Sequence, residues 1–362
     1  MNPINAGRRQ FLQATGGAAL AAGLGPLVTS GSAFGATSGG AAGAATGAAG
    51  GAAGAASGGA AGDSGAFGPV RQIHAGVLNT GYVEMGPVRG TPVILMHGFP
   101  YDIHSFEEVA PLLAARGYRV IVPYFRGHGT TTFTSASTPR NVDQAAFALD
   151  ILALMDALHI RRAVLAGFDW GSRTGDIIVA LWPERVKALV SVTGYLITNL
   201  AANLNPLLPA AENAWWYQYY FATERGVKGL TDNGPALGQF IWKFNSPTWD
   251  FSQATYDRTS AAFANDDWVP IVIGNYRWRL SLAPAEPEYA AIEAKLQNAP
   301  TIGVPTITID GKFDPFTPAG DGSSYRVHFT GKYQHRTFAV GHNVPQEAPR
   351  EFARAVIDAD RL

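Results

Sequence analysis

Gly167-Phe168-Asp169-Trp170-Gly171 lies between an apolar run, Ala163–Ala166, and a helical pattern, Ser172–Leu181. Two glycines spaced around one central residue permit a sharp strand-to-helix turn that holds that residue exposed and strained. The centre here is an aspartate where such a turn usually carries a serine, and no Gly-x-Ser-x-Gly occurs in the chain. An aspartate that merely caps the following helix is the competing reading of the same residue.

The surrounding pattern places this turn at a sheet edge. Pro92–Met96 is a continuous apolar run, as expected of a strand buried on both faces; Arg119–Pro123 reads as another buried strand and Val186–Val192 as the next. Gln72–Leu78 and Gly81–Met85 read as two opening strands, and Pro305–Ile309 and Arg336–Val340 as two closing ones. Helical patterns run over Glu107–Arg116, Val142–Leu158 and Gln346–Asp358. The alternation predicts an α/β fold with a mostly parallel eight-stranded sheet and helices on both faces. Between Leu196 and Ala299 the rhythm breaks into a helical, aromatic-rich stretch, expected as a cap inserted after strand six. The core is then 67–195 and 300–362, with the cap at 196–299.

The first 66 residues do not belong to that pattern. Gly7-Arg8-Arg9-Gln10-Phe11-Leu12, the mildly apolar stretch Ala14 to Val28 and the small residues Gly31-Ser32-Ala33 follow the order of a bacterial twin-arginine export signal, expected over residues 1–34. That route implies a periplasmic or extracellular destination, with no stable membrane insertion after signal removal, because the apolar stretch is too short and glycine-rich to span. Residues 35–66 are Gly, Ala, Ser and Thr until Asp63. They read as a flexible tether of about 30 Å r.m.s. span.

Composition narrows the function. The chain of 362 residues is 47% hydrophobic and 15% charged, which suits a large packed core. A net charge of −1 with no basic block in the folded part predicts no nucleic-acid partner. There is no cysteine, so thiol catalysis and disulfides are excluded. No histidine pair has metal-ligand spacing, and no metal or cofactor is expected.

Gly167-Phe168-Asp169-Trp170-Gly171 together with His97-Gly98-Phe99-Pro100 resembles the epoxide hydrolase branch of the α/β-hydrolase fold, relatives of the haloalkane and haloacid dehalogenases. The resemblance runs from about residue 68 onward. It implies that Asp169 attacks an sp³ carbon and that a histidine-activated water hydrolyses the ester. His342, in Val340-Gly341-His342-Asn343 just past the last strand, is the expected base. Asp314, three residues past Gly311, is the expected orienting acid, with Asp310 as its rival at the strand end. The order nucleophile, acid, histidine matches the fold. Backbone N–H groups of Phe99 and Trp170 occupy the oxyanion-hole positions.

The leaving group separates two readings. An epoxide oxygen needs a proton donor, and the resemblance gives that role to Tyr217, in Trp216-Tyr217-Gln218, and to Tyr276, in Asn275-Tyr276-Arg277. Tyr219 and Tyr220 stand as alternatives to Tyr217. A halide needs N–H donors instead, which Trp170, Trp215, Trp216 or Trp242 could supply. Arg173 resembles one of two carboxylate-binding arginines of haloacid dehalogenases, but Trp170 stands where the other would be. His97, Phe99, Pro100, Trp170, Arg173 and Trp216 are the expected pocket lining, and His128 a structural neighbour. The expected partners are water and a small apolar epoxide or halogenated substrate. A non-catalytic binding protein on the same fold is a third reading.

Overall fold

The computed structural model describes residues 67–317 and 319–362. The export signal expected over 1–34 and the tether over 35–66 lie outside the described residues. The chain opens with β1 (Arg71–Ala75) and β2 (Leu78–Met85), followed by β3 (Pro92–Met96), α1 (Val109–Ala114), β4 (Arg119–Pro123) and a two-residue strand β5 (Thr132–Phe133). Then come α2 (Gln144–Ala157), β6 (Ala163–Gly167), α3 (Trp170–Leu181) and β7 (Val186–Val192). Six longer helical elements follow before the sheet resumes: α4 (Pro209–Ala214), α5 (Trp216–Ala222), α6 (Glu224–Asn245), α7 (Gln253–Ser260), α8 (Trp268–Arg279) and α9 (Ala290–Leu296). The chain closes with β8 (Thr306–Gly311), α10 (Ser323–Arg326), β9 (Tyr333–Phe338), α11 (Val344–Glu347) and α12 (Pro349–Ala359).

The sheet order is β1-β2-β4-β3-β6-β7-β8-β9, with β5 paired to β2. Pairing is parallel from β4 across to β9 and antiparallel at the β1–β2–β4 edge and at β5. The central strands are largely buried because helices cover them: α1 packs with α12, and α2 with α3. β6 and β8 are buried at every residue.

Four sequence expectations shift, one of them the last strand, which runs Tyr333–Phe338 and not Arg336–Val340. The opening strands meet in a tight hairpin at Gly76 and Val77, not between Leu78 and Gly81. Ala75 pairs with Leu78 and both are buried, so the apolar pattern runs through the turn. The last helix is two: Pro349 has no N–H to continue the ladder, and Ala348 leaves helical geometry at φ −141°, ψ 61°. The β5 strand, too short for any periodic signal, was not anticipated. Among the described residues no helix is long and apolar enough to cross a membrane.

Candidate active site

Asp169 stands between β6 and α3 at φ 52°, ψ −121°, a region that residues with a Cβ rarely adopt. The turn closes tightly enough that a Cβ on Gly171 would collide with the Met96 carbonyl oxygen, and one on Gly98 with the Asp169 side chain. The helix begins at Trp170, two residues earlier than its apolar pattern suggests, so Asp169 occupies the capping position. Its side chain makes no capping bond. Instead Oδ1 accepts the Phe99 N–H at 2.9 Å, and Oδ2 lies 3.6 Å from His342 Nε2. The helix end still favours an anion there.

The loop after β9 brings His342 over this carboxylate. Its Nδ1 donates to Asp314 Oδ2 at 2.6 Å, and its backbone N–H donates to the Asn245 carbonyl at 3.1 Å. Asp310 points elsewhere: it accepts from Gly320 N–H and the Tyr325 hydroxyl and faces His335 at 3.6 Å. Asp314 is therefore the acid brought to His342, and its Oδ1 also accepts the Phe316 N–H at 2.9 Å. Burial works against a charge on His342, but Asp314 and then Asp169 outweigh it and push its pKa up to about 10. Burial likewise raises the Asp169 carboxyl, but the His342 imidazolium and the Phe99 and Trp170 amides hold it below the ordinary carboxylate value. The resting site is an imidazolium between two carboxylates.

Opposite Asp169 lies an aromatic wall. Tyr276, on α8, is fully buried, and its hydroxyl has no hydrogen-bond partner among the described residues. Its ring packs against Phe99 at 5.5 Å, Trp170 at 5.9 Å and Tyr217 at 5.3 Å. Burial first, then Asp169, raises the Tyr276 phenol, and burial raises that of Tyr217, so both keep their protons at neutral pH. Tyr219 is exposed and bonds Glu212, while Tyr220 packs on Trp216, away from the site. Of the three neighbouring tyrosines only Tyr217 faces Tyr276.

The expected pocket residues divide. Phe99 donates its N–H to Asp169, Trp170 stacks on Phe99 at 5.9 Å, and the buried Arg173 lies 6.0 Å from the Trp170 ring. His97 is close behind it but engaged at both nitrogens, by the Gly98 carbonyl and the Phe125 N–H. Burial, with His128 beside it, takes the His97 pKa down to about 3, so it is a neutral brace of the loop. The Pro100 carbonyl accepts the Trp242 indole N–H at 2.8 Å, which removes Trp242 as a donor to substrate. Trp216 packs outward on the exposed Phe240. Trp215 takes the inner position, 6.1 Å from Tyr217 and 4.6 Å from Phe316. Phe316, edge-on to His342 at 4.9 Å, was missed. Arg279 was missed too, although its place three residues after Tyr276 on one helix was a readable signal.

Comparison with known proteins agrees with this fold. A family model described as the alpha/beta hydrolase fold matches residues 91–349. The crystal structure of a candidate epoxide hydrolase from Klebsiella pneumoniae subsp. pneumoniae is similar at TM-score 0.81 and 57% identity, over 83% of this chain and 100% of that one. Epoxide hydrolase 3 of Siraitia grosvenorii is 32% identical over 148 residues, 39% of this chain and 43% of its own length. A haloalkane dehalogenase of Mycobacterium marinum is 29% identical over 145 residues, 36% of this chain and 47% of its own. The chain thus spans less than half the length of these curated relatives.

Proposed function

The chain belongs to the α/β-hydrolase fold family, and on that premise we propose that it opens an epoxide to a vicinal diol through a covalent alkyl ester on Asp169. The observation that carries this reading is the buried, unpartnered hydroxyl of Tyr276, whose ring packs on Trp170 and on Phe99, the residue that donates to Asp169. A buried hydroxyl without a partner is costly, and an epoxide oxygen supplies one.

Oδ1 is held by the Phe99 amide, so Oδ2 is the attacking atom. It forms a bond to the epoxide carbon as the carbon–oxygen bond breaks, and the released oxygen takes a proton from Tyr276 or Tyr217. Alkylation then removes the negative charge of Asp169. With it goes one of the two carboxylates that keep His342 protonated, so the imidazolium gives up its proton, which restores the tyrosinate to a neutral tyrosine. Neutral His342 accepts a proton from a water that attacks the ester carbonyl, while the Phe99 and Trp170 N–H groups hold the oxyanion. Collapse of the intermediate releases the diol and restores the carboxylate.

Dehalogenation by the same three residues is the second reading. It is favoured by the buried, unpartnered Trp170 Nε1, which could receive a halide. Arg8-Arg9 and the apolar run after them support export in the folded state to a periplasmic or extracellular site. The division into a core, 67–195 with 300–362, and a cap, 196–299, belongs to the same proposal.

Styrene oxide tests it. Asp169→Ala is expected to abolish diol formation. His342→Gln is expected to accumulate an enzyme heavier by one styrene oxide in intact-mass spectra, with the added mass on the peptide holding Asp169. Diol formation that survives Asp169→Ala would overturn the assignment. Halide release from a haloalkane with no diol from any epoxide would select the second reading.

A further inference from the structure

A pocket of about 240 Å³ opens among the helices between β7 and β8, lined by Leu230, Thr231, Pro235, Phe263, Ala264 and Trp268, with Gly234 between them. Thr231, Pro235 and Ala264 are exposed, whereas Leu230 and Trp268 are buried. Trp268 is the inner partition. Its six-membered ring faces Gly234, where an added Cβ would stand 2.8 Å from it, and the indole stacks on Phe263 at 4.3 Å. The same indole lies 6.1 Å from the ring of Phe99, whose N–H holds Asp169. One side chain thus joins a pocket open to solvent to the wall of the buried site.

Two features leave this partition free to move. Trp268 Nε1 is buried and has no hydrogen-bond partner among the described residues, so displacing the indole breaks no polar bond. Trp242 is the contrast, tied by its indole N–H to the Pro100 carbonyl. The facing wall is a break in α6. Asn233 leaves helical geometry at φ −133°, ψ 23°, and Pro235 has no N–H to continue the ladder. Such a break can absorb backbone rotation. The backbone before Trp268 is fixed instead, because Asn265 Nδ2 donates to the Gly129 and Thr131 carbonyls at 2.9 and 2.8 Å.

We propose that this pocket is the outer subsite through which an uncharged alkyl or aryl substrate reaches Asp169, and that Trp268 sets the size admitted. No charged residue lines the pocket, and its apolar walls suit a ligand that gains by leaving water. Asp169, Tyr217 and Tyr276 are buried, so a substrate needs a way past the aromatic wall. The indole on Phe99 is the part of that wall with no polar tether and a broken helix opposite it.

Delivery to Asp169 rests on the epoxide reading, whereas occupancy of the pocket does not, and the test separates them. The chain has no cysteine, so Ala264→Cys supplies a single thiol at the mouth. Benzyl methanethiosulfonate places a benzylthio group there, which intact mass verifies and dithiothreitol removes. The blocked protein is expected to lose about tenfold or more in kcat/KM for styrene oxide, the scale on which apolar shape discriminates, and to regain it with dithiothreitol. The same label on Ala254→Cys, exposed on α7, is expected to change nothing. Trp268→Phe is expected to raise kcat/KM for trans-stilbene oxide relative to styrene oxide, since a smaller ring admits the second phenyl group. Undiminished turnover in the blocked protein, or a ratio unmoved by Trp268→Phe, sinks the inference. Should no epoxide react, the fluorescence of N-phenylnaphthylamine, an uncharged aromatic probe, still reads the pocket. Binding that the label at residue 264 displaces supports the subsite; binding that survives the label, or none to the wild-type protein, rejects it.

Discussion

In the proposed reaction, turnover depends on the charge on His342. In the resting site the imidazole holds a proton, with a pKa near 10 set against burial by Asp314 and Asp169. A base must first lose that proton, and the ester on Asp169 removes part of what retains it. Ester formation needs only an ionised Asp169, whose pKa is held low; ester breakdown needs a neutral His342. Acid should therefore slow the second step before the first. Rapid quenching followed by intact-mass analysis is expected to find more alkylated wild-type enzyme at pH 5 than at pH 8. The same shift bears on stability. A raised histidine pKa contributes fully below its ordinary value of 6.5 and is lost as pH rises through about 10. The urea midpoints of the wild-type protein and His342→Gln are expected to converge on going from pH 6.5 to 10. Tyr276→Phe is expected to reduce styrene oxide opening about 10²-fold, the scale of a lost general acid. Halide release from a haloalkane should change little.

At the scale of elements, the turn from β6 into α3 does the positioning, and it depends on a side chain that is absent. A Cβ at residue 171 would meet the Met96 carbonyl oxygen, which belongs to the neighbouring strand and cannot rotate aside. Gly171→Ala is expected to destabilise the fold by about 1–3 kcal/mol or more, as overpacking does, read as a lower urea midpoint. This element was legible in the sequence because glycine spacing and a buried strand are both local patterns. β3, β4 and β7 were legible to the residue, since most of their residues are apolar and buried. The hairpin at Gly76 was not, because buried Ala75 and Leu78 continue one apolar pattern through the turn. Asp314 could be ranked above Asp310 only by the resemblance. Both follow the same strand, and it is loop geometry that turns Asp314 to His342 and Asp310 to Tyr325.

Across the whole molecule, polar bonds tie the helices between β7 and β8 to the sheet. Trp242 donates to the Pro100 carbonyl, Thr259 to buried Asp102, Asn275 to the Val142 carbonyl, and Ser246 to Glu347. These long-range pairings leave no trace in sequence spacing, which is why Phe316 and the inward turn of Trp215 escaped a reading of motifs. They also fix the oxyanion loop, since Pro100 follows Phe99. Trp242→Phe is expected to cost about 1–3 kcal/mol by leaving that carbonyl unpaired and to speed hydrogen exchange at the Phe99 amide. Asp169, His342, Tyr217 and Tyr276 expose 8%, 3%, 1% and 0% of their surfaces. A substrate is thus expected to meet Asp169 only after part of the wall has moved aside. Encounter becomes a matter of waiting for that opening, and the waiting time caps the rate, however fast bond-making becomes inside.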